Sequence, residues 1–121
     1  MVNTLDKIIE EKKNSLNKFK KTTTLDSLEK NIKNLNTFLN FKETINNNKS
    51  VSIIAEIKKS SPSAGQLIKD FNHLNIAKMY VENGATCLSV LTEEKYFLGK
   101  LDYIKDIKNS FKIPILAKDF F

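Results

Sequence analysis

Arginine is absent from this sequence, and its basic charge is carried by twenty lysines. Surfaces that read bases or grip phosphate backbones usually rely on arginine forks interleaved with aromatics. The lysine excess is also spread out, with ten lysines against six acids in residues 1–50 and ten against eight in residues 51–121. No nucleic-acid partner is expected. The net charge of +6 and the fourteen asparagines describe a lysine- and asparagine-favouring composition, compatible with steering of a small anionic substrate. The one cysteine, Cys87, cannot close an internal disulfide, and within TCLSVL it reads as a small buried hydrophobe in a reducing compartment. The one histidine, His73, has no cysteine or second histidine near it in sequence, so no metal site is expected. No apolar run approaches the roughly eighteen residues of a membrane span. No apolar segment followed by a small-residue cleavage site opens the chain, so no membrane role is expected and the cytoplasm is the default. With 40% hydrophobic and 28% charged residues, the chain reads as globular and long enough for one small domain.

Two regions differ in pattern. In residues 1–50, Leu5, Ile8, Ile9, Leu16 and Phe19 fall at helical spacing behind Asn3 or Thr4 as N-cap. A second helical stretch follows Thr24, with Leu25, Leu28, Ile32 and Leu35 on one side, and NNNKS (46–50) reads as a loop. This is a helical extension with a thin core of its own. From Val51 onward, short apolar runs alternate with amphipathic segments. VSIIAEI (51–57), TCLSVL (86–91) and IPILAK (113–118) predict strands, the last entered through Pro114. HLNIAKMYVENG (73–84), opened by His73 and stopped by Gly84, and LDYIKDIKNS (101–110) predict helices. Such alternation implies an α/β fold with a parallel sheet, its near-continuously apolar strands covered on both faces. A three-stranded parallel sheet that ends on a strand has bare edges. The expectation is therefore a piece of a larger fold, or a half completed by another chain through self-association at those edges.

Three segments carry polar residues at strand ends. In AEIKKSSPS (55–63), a period of two puts Glu56 and Lys58 on one face with Ile54, and Ala55 and Ile57 on the other. Inside a barrel, that carboxylate and ammonium must pair or bind substrate; at a solvated strand end they are ordinary surface charges. The SSPS turn offers hydroxyls and amides to an anion, or is a plain loop. Lys118 leaves an apolar strand at the rim where parallel barrels collect their catalytic groups. It is suited to act as an acid, to form an imine, or merely to snorkel into water. In LTEEKYFLG (91–99) the acids and Lys95 read as exposed, while Tyr96 and Phe97 either wall an aromatic site or pack back on the fold.

Taken together, IIAEIKKSSPS, SVLTEEKYFLG and IPILAKDFF resemble the indole-3-glycerol phosphate synthase family, in its order and spacing, over residues 51–121. The helical extension is similar in kind to that family's extra N-terminal helices. The resemblance implies a (β/α)8 TIM barrel of roughly twice this length, of which residues 1–50 are the helical extension and 51–121 the first three strands and two helices. It implies ring closure of 1-(2-carboxyphenylamino)-1-deoxyribulose 5-phosphate, with loss of carbon dioxide and water and no cofactor or metal. By resemblance, Lys118 is the general acid at the ketone oxygen. Lys58 holds anionic groups of the substrate and Glu56 orients the lysines. Ser61 contacts substrate, and Phe97 and Phe120 line the pocket for the anthranilate ring.

The sequence departs from the family pattern by ending before the fourth strand, which carries that family's general-base glutamate. The later loops carry its phosphate site. These 121 residues alone are therefore expected to be inactive. Two other expectations stand beside this one: a non-catalytic half-barrel stable only as an oligomer, and an imine-forming barrel enzyme using Lys118.

Overall fold

A computed structural model describes residues 3–121, which form two compact units, residues 3–38 with Phe120 and residues 39–119 with Phe121. The first unit holds two helices. α1 (Thr4–Thr22) starts from Asn3, whose Oδ1 accepts from the Asp6 amide at 2.8 Å, and it ends in Lys20 and Lys21. That arrangement satisfies an orphan amide and complements the helix dipole at its negative end. α2 (Leu25–Lys33) is capped in the same way by Thr24. Ile8 is the only buried residue of α1, while Leu5, Leu16, Phe19, Leu25 and Ile32 stay about half exposed or more.

The second unit opens with a helix that the composition conceals. α3 (Phe41–Asn47) is capped by Asn40, so the expected loop at 46–50 begins only at Asn48. The asparagines looked like breakers, but a capped helix already under way absorbs two of them. The side-chain amide of Asn48 then donates to Ser52 Oγ and Thr86 Oγ1, tying this end of α3 to the sheet.

β1 (Ile54–Ile57) is shorter than the expected 51–57. Ile53 is held instead by Thr86: its amide donates to Thr86 Oγ1 at 2.9 Å, and its carbonyl accepts from the amides of Thr86 and Cys87. The SSPS turn is a small antiparallel hairpin, β2 (Ser60–Ser61) with β3 (Gly65–Gln66). α4 (His73–Glu82) follows Asn72 as N-cap and stops where Gly84 takes φ +88. Ala85 N then donates to Tyr80 O and Gly84 N to Val81 O, a Schellman closure. β4 (Cys87–Leu91) is buried throughout. α5 (Leu101–Ser110) leads to β5 (Ile115–Lys118), two residues shorter than expected because Pro114 brings no amide to the ladder, although its carbonyl accepts from Leu88 N.

The sheet is parallel, in the order β1-β4-β5, so the α/β expectation holds for the described residues. In register, Ala55, Leu88 and Ile115 form one row and Ile57, Val90 and Ala117 the next, all on the same face. That face packs on Ala77, Ile107 and Ile113, with Tyr80, Val81 and Ile104 around them. The opposite face carries Ile54 and Leu116, each about half exposed, and the row Glu56, Ser89 and Leu116. Cys87 is fully buried, and loss of hydration pushes its thiol above the ordinary value. It is therefore expected to resist Ellman's reagent at pH 8 in the folded chain and to react within minutes in denaturant. Rapid labelling of the native protein would contradict this burial.

Candidate active site

Because the three strands are parallel, the carboxyl ends of β1 and β5 lie on one rim with β4 between them. Glu56 belongs to the row of Ser89, whereas Lys118 pairs in register with Leu91, two residues further along β4. Glu56 therefore reaches diagonally past β4. Its Oε2 lies 2.6 Å from Lys118 Nζ, and its Oε1 lies 3.7 Å from Lys58 Nζ. One carboxylate thus bridges two ammonium groups, one just past the end of β1 and one at the end of β5.

Glu56 and Lys58 are about one-third exposed and Lys118 about half. Ion pairs that wet contribute only about 0–1 kcal/mol, so stability is a poor reason for this cluster. Within the trio, two ammonium groups share one carboxylate, and both are side chains able to bind an anion or donate a proton. Both supporting strands are pinned. The Tyr80 hydroxyl donates to the Glu56 carbonyl at 3.0 Å, and the Thr92 amide donates to the Lys118 carbonyl at 3.0 Å. Thr92 Oγ1 also donates to Asp119 at 2.8 Å, holding the chain just beyond β5.

The remaining expected residues are not part of this cluster. Ser61 sits in the hairpin after β1, where its Oγ accepts from Ala64 N at 3.2 Å. Phe97 is half-buried in the loop after β4, and Phe120 is half-buried two residues beyond β5. An open cleft of about 320 Å³ lies beside the rim, lined by Lys59, Glu94 and residues 98–102, and includes none of the trio. His73 does open α4, but its Nε2 lies 2.9 Å from Asp106 Oδ2 and its ring stacks on Tyr103 at 4.4 Å, so it joins α4 to α5. Among the described residues, no group of three His, Cys, Asp or Glu side chains is placed to hold a metal.

Two residues escaped the sequence reading. The acids of 91–99 were expected to be exposed, yet Glu93 is 5% exposed. Its Oε2 accepts from the amides of Tyr96 (2.7 Å) and Phe97 (2.9 Å), and its Oε1 from that of Lys95 (3.0 Å). The short spacing to these amides was visible, but nothing local showed that the chain turns back over the carboxylate. The second is Ser89, buried beside Glu56 in register, whose Oγ is without a hydrogen-bond partner among the described residues. A serine within an apolar run reads simply as strand.

A model of the family described as indole-3-glycerol phosphate synthase matches residues 5–121. Curated proteins of that name are similar over the same stretch. The chain is 43% identical to one from Desulforamulus reducens over 116 residues, covering 96% of this chain and 44% of the relative. It is 46% identical to one from Aliarcobacter butzleri over 123 residues (96% and 45%) and 45% identical to one from Clostridium acetobutylicum over 117 residues (96% and 44%). The chain spans somewhat under half the length of the curated relatives it matches.

Proposed function

Because the chain belongs to the indole-3-glycerol phosphate synthase family, we propose that the full-length protein closes the indole ring of 1-(2-carboxyphenylamino)-1-deoxyribulose 5-phosphate on a (β/α)8 barrel. Carbon dioxide and water leave, no cofactor or metal takes part, and the reaction belongs to tryptophan biosynthesis in the cytoplasm. The observation that carries this reading is the Glu56 carboxylate shared by Lys58 and Lys118 at the carboxyl rim.

In this reading the anthranilate ring carbon attacks the ketone carbon of the ribulose moiety, and negative charge grows on the ketone oxygen. The Lys118 ammonium neutralises that charge by donating its proton, leaving a hydroxyl group. Lys58 holds the substrate carboxylate until the carbon–carbon bond to it breaks and restores the aromatic ring. Loss of the hydroxyl as water, together with a proton from the adjacent methylene carbon, then forms the last ring double bond and completes the indole. Glu56 offsets the repulsion between the two ammonium groups and aims them, and it exchanges protons with them as the cycle proceeds. Ser61 contacts the substrate from the hairpin, while Phe97 and Phe120 face the anthranilate ring.

The test is turnover of this substrate by the full-length protein, followed through the fluorescence of the indole product. Glu56→Gln is expected to lower kcat by about 10²-fold, the usual scale for misplacing groups at a reacting centre. A folded full-length protein without product formation, or a Glu56→Gln variant with full activity, would contradict the proposal.

A further inference from the structure

Beyond the lysine pair, the buried acid of the rim loop remains without a role. A carboxylate removed from water is costly unless its oxygens are satisfied, and Glu93 satisfies them with three consecutive backbone amides. The Glu93 carbonyl in turn accepts from Gly99 N at 2.8 Å, closing residues 93–99 into a loop on its own acid. Leu98 takes φ +52 within this closure, a conformation that side chains other than glycine rarely adopt. The loop follows the central strand β4, between the strands that carry Glu56 and Lys118, and it bears Phe97. A rim loop without such a clamp samples many arrangements, and an aromatic side chain on it meets a ligand only in some of them.

We infer that Glu93 is a positioning residue for substrate binding: by gathering the amides of Lys95, Tyr96 and Phe97, it holds Phe97 where the aromatic part of the substrate docks. The inference rests on the function proposed above and adds to it a residue that acts through Phe97 without touching substrate. Its signature lies in KM. Phe97 contacts the ring in the bound substrate and in the transition state alike, so loosening the clamp weakens both equally and spares kcat.

In the full-length protein, Glu93→Gln removes the charge from all three bonds and sets an NH2 donor against at least one of the gathered amides, so the clamp on Phe97 loosens. KM is expected to rise about fivefold to tenfold, the scale of an aromatic contact, with kcat changed by less than about twofold. Phe97→Leu, with the carboxylate untouched, is expected to reproduce that rise. The double variant is expected to be no worse than Phe97→Leu alone, because a clamp with nothing to position has no further effect. An unchanged KM in either single variant would overturn the positioning role. So would additive effects in the double variant, which would mark Glu93 as a structural residue only. Those results leave synthase activity standing, whereas a folded wild type that never turns over the substrate defeats the reading of the whole site.

Discussion

Replacing Lys118 by methionine in the full-length protein is expected to lower kcat by about 10²–10⁴-fold, the usual contribution of a positioned acid, while KM changes much less. The reason is geometric as much as chemical. Lys118 is the last residue of β5, its backbone held by the Thr92 amide and its ammonium by Glu56 at 2.6 Å. Methionine keeps most of the aliphatic stem and removes only the proton donor. The lost ion pair is half-wet and contributes at most about 1 kcal/mol, so the folded state is expected to survive, as urea titration would verify. Arginine is not expected to rescue the rate. A guanidinium holds its proton too tightly to act as an acid and spreads its charge over a wider, planar group. Retention of more than a tenth of the wild-type rate by Lys118→Met would remove the acid role from this residue.

Gly99→Ala is expected to be the most damaging small substitution for stability. A Cβ there would be driven into the carbonyl carbon and oxygen of Leu91 and would stand 2.9 Å from Thr92 Cα. All three are backbone atoms at the end of the central strand, so no side chain can swing aside. The loop must move, breaking the Gly99 N to Glu93 O bond, or the end of β4 must shift against Lys118, its register partner. A loss of about 3 kcal/mol, the upper end of ordinary overpacking costs, is expected in chemical denaturation, together with a raised KM through the displaced Phe97. Gly84 provides the contrast. A Cβ there meets nothing within 4 Å, and its φ of +88 alone makes alanine unfavourable, by about 1–2 kcal/mol. If Gly99→Ala proves no worse than Gly84→Ala, the close approach at the rim is not a constraint on the fold.

Much of this architecture was legible in the order of residues. Short apolar runs set between amphipathic stretches located the sheet strands and both helices between them, because strand and helix periodicity are local properties. The misses were strand boundaries, where distant partners decide, one short helix and a small hairpin after β1. Thr86 holds Ile53 outside the regular ladder, and Asn40 starts a helix that runs into the asparagine tract. The candidate site divides along the same line. Strand periodicity alone put Glu56 and Lys58 on one face and Lys118 at a strand end, and the family resemblance connected those residues to one reaction.

Only the tertiary structure decided that one carboxylate joins both lysines. Glu56 and Lys118 are 62 residues apart, and they meet because β1 and β5 flank the same central strand in a particular register. The burial of Glu93 was decided in the same way, since a sequence shows which acids exist but not which amides the chain will fold back over them. Residue type and periodicity act over a few positions, whereas pairing, register and burial are settled by contacts between segments far apart in the chain. The residue types of the candidate site were therefore readable in the sequence, and the geometry that gathers them was not.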